Sequence, residues 1–75
     1  MVVLIDKKTI DEIFYKKLRC HLFDYSFYVD YLGIEYFKKS TIERQQDKRC
    51  FHLLDKDKLA WAMMKYGFEI ELYSN

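Results

Sequence analysis

Two cysteine–histidine pairs, Cys20-His21 and Cys50-x-His52, are the residues whose types could support catalysis or metal binding. A zinc site needs four converging ligands and usually uses C-x2-C or H-x3-H spacings, which neither pair has. A cysteine nucleophile needs a base, a third group that orients the base, and an oxyanion-binding loop. The sequence supplies no pattern for the last two. We therefore predict a protein that is not an enzyme, with free thiols, no metal and no cofactor.

A basic cluster in the middle of the chain is the second chemical feature. Its members are Lys38, Lys39, Arg44, Lys48 and Arg49, and two carboxylates within the segment leave it a local charge of +3. Basic side chains contact phosphates, and neighbouring aromatics such as Tyr36 and Phe37 can stack on bases. The RNP1 string of RNA-recognition domains is absent. The cluster therefore predicts a small nucleic-acid-binding module as the alternative function.

Residues 54–73 predict a helix followed at once by a strand. Asp55 can cap the helix start, and no proline, glycine or β-branched residue interrupts residues 56–66. Gly67 suits the left-handed position that ends many helices. Over residues 68–72, apolar residues alternate with glutamates, which is the pattern of a half-buried strand.

This helix is apolar on two sides. Leu59 and Met63 belong to its main stripe, whereas Trp61 projects roughly 160–200° away from that stripe at about 100° per residue. Either Trp61 belongs to the core, or it is exposed for a partner. A 75-residue chain has little material for a second layer, so we favour a partner. The predicted partner-binding residues are Trp61, Met64, Tyr28, Phe37 and Tyr15.

The N-terminal residues predict a strand and then an amphipathic helix. Residues 2–5 form a continuous apolar run, which is typical of a short strand buried on both faces. Thr9 and Glu12 form a capping box that predicts a helix start, and apolar residues follow at helical spacing.

Residues 23–39 fit two structures. Alternating residues before Gly33, followed by residues 34–38, predict a β-hairpin, whereas a 4-3-4-3-4 spacing from Leu18 to Tyr36 fits a helix. Tyrosine, phenylalanine and valine favour strands, so we prefer the hairpin.

The order of these elements predicts a single α+β domain over residues 1–75. Ser40 and Glu43 form a second capping box, which predicts a short exposed helix or a charged loop, and residues 50–54 could add a brief strand. We predict a single-layer sheet with two amphipathic helices in a ferredoxin-like βαββαβ arrangement. The alternative is a mostly helical domain with paired terminal strands.

Composition narrows the location and the class of function. Aromatic residues make up 19% of the chain, more than a core of this size requires, and the net charge of +1 steers the protein to neither nucleic acid nor membrane. The N-terminal apolar run is too short to span a membrane or to act as a signal peptide. We therefore predict a cytoplasmic protein, acting in the host cytoplasm if a phage encodes it.

These observations together predict a small protein-interaction module. We expect it to inhibit or modulate a larger protein by covering a site on it, in the manner of proteins carried by phages and other mobile elements. Homodimerisation through the same helix face is a related interpretation, because a surplus apolar face can also be covered by a second copy.

Overall fold

A four-stranded antiparallel sheet forms the centre of the fold in the computed structural model, which describes residues 1–20 and 26–73. Its strands are β1 (Val2–Asp6), β2 (Ile34–Phe37), β3 (Lys48–Leu53) and β4 (Glu71–Tyr73). They lie in the order β2-β3-β1-β4, and all three neighbouring pairs are antiparallel. The predicted α+β class is confirmed.

The strand order interleaves two crossover units. β1 and β2 run parallel with β3 between them, and β3 and β4 run parallel with β1 between them. Two split βαβ units of this kind make up the ferredoxin-like arrangement. The difference from the prediction is that the two middle strands are not joined by a hairpin at Gly33: they are β2 and β3, and a helix (Ser40–Gln46) links them.

Five helical segments accompany the sheet within the described residues. They are α1 (Lys7–Thr9), π1 (Ile10–Lys17), π2 (Phe27–Tyr31), α2 (Ser40–Gln46) and α3 (Lys56–Tyr66). π1 continues α1 without a break. At the ends of the two π segments, the amides of Leu18 and Leu32 bond to carbonyls five residues back, at 2.9 and 3.3 Å, which is the wider π-helical spacing.

The first helix begins earlier than the capping box predicts. Thr9 already has helical dihedral angles, and the helix follows directly from β1. The amide of Lys7 donates to the backbone carbonyl of Asp47 at 3.0 Å. This bond satisfies one of the helix-start amides that a capping side chain would otherwise bind. The predicted role of Thr9 as the cap was therefore wrong.

The predicted hairpin was also wrong, because its first strand, before Gly33, does not form. Residues 27–31 are helical, and the preceding residues 21–25 lie outside the described part of the chain. Tyr28 and Leu32, four residues apart, are both buried, whereas Tyr31 is exposed. This is a helical burial pattern. β2 does form, but it pairs with β3 through Ile34 and Leu53.

The main core lies between one face of the sheet and the segments π1, π2 and α3. Its buried members are Val3, Ile5, Ile10, Phe14, Tyr28, Leu32, Ile34, Phe51, Leu59, Ala62 and Phe68. A smaller cluster of Leu4, Cys50 and Ile42 lies on the opposite face, where α2 packs. Because β1 contributes to both clusters, the prediction that it is buried on both faces is confirmed.

Local signals define both ends of α3 as predicted. The carboxylate of Asp55 accepts hydrogen bonds from the amides of Asp57 and Lys58, at 3.0 and 3.2 Å. Gly67 adopts a left-handed conformation with φ of 72°, and its amide bonds to the carbonyl of Met63. The closing strand β4 is shorter than predicted, since it begins at Glu71 and not at Phe68.

Candidate functional site

The outward face of α3 exposes large apolar side chains. Leu59 and Ala62 are buried against the core, which turns Trp61 and Met64 away from it. Trp61 is 51% exposed and Met64 is 86% exposed. The interpretation of Trp61 as a core residue therefore does not hold.

Charged residues flank these apolar side chains along the helix. We define the α3 surface as the exposed residues Asp57, Ala60, Trp61, Met64 and Lys65. The ammonium group of Lys65 lies 4.6 Å from the centre of the Trp61 ring, within the range of a cation–π interaction. The same ammonium lies 5.6 Å from the ring centre of Tyr66. Lys65 therefore adds a positive charge to the edge of an apolar surface.

The other predicted partner-binding residues lie elsewhere. Tyr28 is only 1% exposed and stacks on Phe51, with ring centres 5.4 Å apart, so its assignment to a binding surface was wrong. Phe37 is partly buried beside the smaller cluster, on the sheet face opposite α3, and stacks on His52. Tyr15 is exposed on π1. Of the five predicted residues, Trp61 and Met64 share the α3 surface.

Sequence reasoning missed the two charged members of this surface. Asp57 and Lys65 each lie four residues from Trp61, a spacing that places all three along one side of a helix. That spacing was available in the sequence. Other exposed apolar residues, Leu72 and Tyr31, were assigned to buried positions by the strand interpretations of their segments.

The basic cluster does not form one free positive surface. Lys48 pairs with Asp6 at 2.7 Å and with Glu71 at 3.2 Å, and hydrogen bonds to these carboxylates, that to Asp6 first, raise the pKa of Lys48. Arg49 pairs with Glu43 at 3.2 Å.

The other three members of the cluster have different surroundings. The ammonium of Lys39 lies 4.9 Å from the ring centre of Tyr73, whereas Lys38 and Arg44 are exposed. Nucleic-acid binding by this segment therefore stays a prediction.

A cavity of about 140 Å³ lies beside the Lys48 ion pairs. Its lining residues are Leu4, Asp6, Lys48, Glu69, Ile70 and Glu71. Sites for small organic ligands are usually larger, of about 300–1,000 Å³, and mostly apolar. The charged lining and small volume do not match such a site.

A polar network connects β2, α2 and β3. The hydroxyl of Tyr36 donates to Glu43 at 3.0 Å, and the amide of Lys39 donates to the same carboxylate oxygen at 3.2 Å. Glu43 thus reaches back to the helix start as the second capping box predicts, but to Lys39 and not to Ser40. Burial, followed by the hydrogen bond to Glu43, raises the pKa of Tyr36 to about 12.

This network predicts a loss of stability at high pH. The unfolded chain ionises Tyr36 near the ordinary pKa of 10.0, whereas the folded protein keeps the phenol protonated up to about 12. The unfolded state therefore binds fewer protons in this range, and the free energy of unfolding falls as the pH rises through it. Denaturation curves at several alkaline pH values should show a steeper fall for the wild type than for Tyr36→Phe. Equal slopes would contradict the assignment, because lysine titration is common to both proteins.

The cysteine–histidine pairs do not assemble into a site among the described residues. The thiol of Cys20 donates to the carbonyl of Leu18 at 3.3 Å, and His21 lies outside the described ranges. Cys50 is buried, which raises the pKa of its thiol, while His52 is exposed. A protonated thiol is a poor nucleophile and a poor metal ligand. No group of three metal-ligating side chains occurs in residues 1–20 and 26–73.

Comparisons with known proteins add no assignment to these observations. No family model matches the chain, and neither a curated protein nor a solved structure matches it. Across the described ranges, none of the helices has the length and apolar character needed to cross a membrane.

Proposed function

We propose that this chain is a small protein-interaction module that binds a larger protein through the α3 surface. One observation carries the proposal: Trp61 and Met64 lie side by side, largely exposed, on a helix that is capped at both ends. Tryptophan is among the residues that contribute most to binding energy at protein interfaces, and methionine is enriched there.

The way in which α3 is held supports this role. Asp55 and Gly67 define its ends, and Leu59 and Ala62 anchor its inner face in the core. A surface that is already ordered loses little conformational entropy on binding. The α3 surface can therefore enter an apolar groove on a partner as an ordered helix, with Trp61 as the central anchor.

The effect on the partner follows from covering a site. We propose an inhibitor or modulator, of the type carried by phages and other mobile elements, that acts in the cytoplasm. The net charge of +1 favours contact through apolar surface over electrostatic attraction. We do not propose nucleic-acid binding as a second function, because Lys48 and Arg49 of the basic cluster are paired with carboxylates.

Replacing Trp61 with alanine tests the proposal. We expect the fold to be retained, because Trp61 lies on the exposed side of α3, and binding to weaken by about 2 kcal/mol or more, or roughly 30-fold. The partner is first captured from the native host and identified by mass spectrometry, and its affinity is then measured by calorimetry.

A matched control is Leu72→Ala, which removes an exposed apolar side chain from β4. This variant should bind as the wild type does. Equal affinity of the wild type and the folded Trp61→Ala protein would show that the α3 surface does not bind the partner. Unfolding of Trp61→Ala would show that the indole supports the core.

A further inference from the structure

We propose that the free protein forms a two-fold symmetric homodimer in which the α3 surfaces of two copies pack antiparallel. The dimer covers the surface that the larger partner would bind, so the protein must dissociate into monomers before it binds that partner. The inference rests on the proposed function only in using the same surface; it does not require the larger partner to exist.

Asp57 and Lys65, the two charged members of the α3 surface, carry opposite charges. Asp57 and Lys65 lie four residues before and after Trp61, each about 6 Å from it along the helix axis. A two-fold axis near Trp61 therefore brings Asp57 of each copy to Lys65 of the other. Such an isologous contact forms both ion pairs at once and closes the assembly at two chains.

The same pattern disfavours the parallel arrangement. In that orientation Asp57 would face its own counterpart, and so would Lys65, and like charges at a contact are unfavourable. The antiparallel arrangement is therefore favoured both by its Asp57–Lys65 ion pairs and by the like-charge repulsion in the parallel arrangement.

The centre of the α3 surface suits close packing between two helices. Ala60 is small, which allows the backbones to approach, and Met64 is flexible enough to fill the space beside a ring. The Lys65 ammonium already lies over the Trp61 ring, at 4.6 Å from its centre. In the dimer, Asp57 of the second copy would bind that ammonium from the side away from the ring.

The dimer should be weak and reversible. α3 has 11 residues, so it is about 16 Å long, and one such helix offers less than the roughly 800 Å² per partner of a standard interface. We expect a dissociation constant on the order of 100 μM. The net charge of +1 produces little repulsion between copies, and a tighter partner can displace the second copy.

Sedimentation equilibrium over a range of protein concentrations tests the pairing through charge reversal. Asp57→Lys and Lys65→Asp should each weaken the dimer by about tenfold, since each creates like-charge contacts. The double variant should regain an affinity close to that of the wild type. Trp61→Ala should remain monomeric. Lys38→Asp, an equal charge change at an exposed site beyond β2, should have no effect.

Charges near the helix ends also affect the stability of α3 itself, so the fold of each variant is checked by circular dichroism. Asp57→Asn and Lys65→Gln remove the charges without reversing them and provide a second pair of variants. A monomeric wild type at millimolar concentration overturns the proposal. So does a dimer that persists in Trp61→Ala, or one that the double reversal fails to restore. The proposed function fails separately: a monomeric wild type whose partner binding depends on Trp61 refutes the dimer alone, whereas partner binding that is independent of Trp61 refutes the interaction surface.

Discussion

Replacing Phe14 with alanine is expected to lower the free energy of unfolding by about 4 kcal/mol, because large-to-small changes of buried aromatic residues cost about 3–5 kcal/mol. Phe14 is completely buried in π1. Its ring contacts those of Phe27, Tyr28 and Phe68, with centres 6.1, 5.6 and 5.1 Å away. The ring therefore joins π1 to π2 and to the segment after α3, and its removal leaves a cavity between three parts of the chain.

A neighbouring residue supplies the control for this change. Tyr15→Ala removes a ring of similar size that is 49% exposed, and it should cost only about 1 kcal/mol. Guanidinium denaturation followed by circular dichroism measures both. A domain of this length has a total stability of roughly 4–11 kcal/mol, so Phe14→Leu serves as a second variant if the alanine protein is largely unfolded. Similar losses for Phe14→Ala and Tyr15→Ala would contradict the placement of π1.

α3 could be predicted because the information that defines it is local. Asp55 binds amides two and three residues ahead, and Gly67 ends the helix through a bond to Met63. Once both ends are known, the helical period determines which side chains point outward. Trp61 and Met64 could therefore be placed on the outside from the sequence alone, and the charged residues one turn away could have been found by the same means.

The segment before Gly33 could not be predicted, because contacts with distant residues determine its structure. Its sequence fits a strand and a helix equally in apolar spacing, and local propensity favours the strand. The packing of Tyr28 against Phe14 and Phe51, which belong to π1 and β3, selects the helix. Neither interpretation placed Tyr28 in the core, because the 4-3-4-3-4 spacing from Leu18 to Tyr36 also omits it, whereas the structure buries it.

β3 was predicted too short because its first residues are charged. Lys48 and Arg49 begin a central strand that pairs with both β1 and β2. Two charged residues at the start of a central strand need partners, and the partners are far away in sequence: Asp6 and Glu71 for Lys48, and Glu43 for Arg49. A basic run that resembles a phosphate-binding segment is thus partly used in holding the sheet together.

Replacing Gly33 with alanine is expected to cost about 3 kcal/mol, from backbone strain and steric overlap together. Gly33 has φ of +66°, and a Cβ atom there would lie 2.5 Å from the carbonyl oxygen of Asp55 and 2.9 Å from its Cβ. The Gly33 carbonyl also accepts hydrogen bonds from the amides of Leu54 and Asp55, at 2.8 and 3.0 Å. The backbone before β2 therefore packs directly on the residue that caps α3, and an added methyl group must push the two apart.

Gly67→Ala separates the two contributions to this cost. Gly67 has nearly the same backbone angle, with φ of +72°, but nothing lies within 4 Å of an added Cβ. It should lose only the backbone part, about 1 kcal/mol, when measured by the same denaturation experiment. The difference between the two variants then reports the contact between Gly33 and Asp55. Equal losses would mean that α3 can shift away from β2 at little cost, and such movement would also weaken the argument that the α3 surface is presented to a partner by a rigid support.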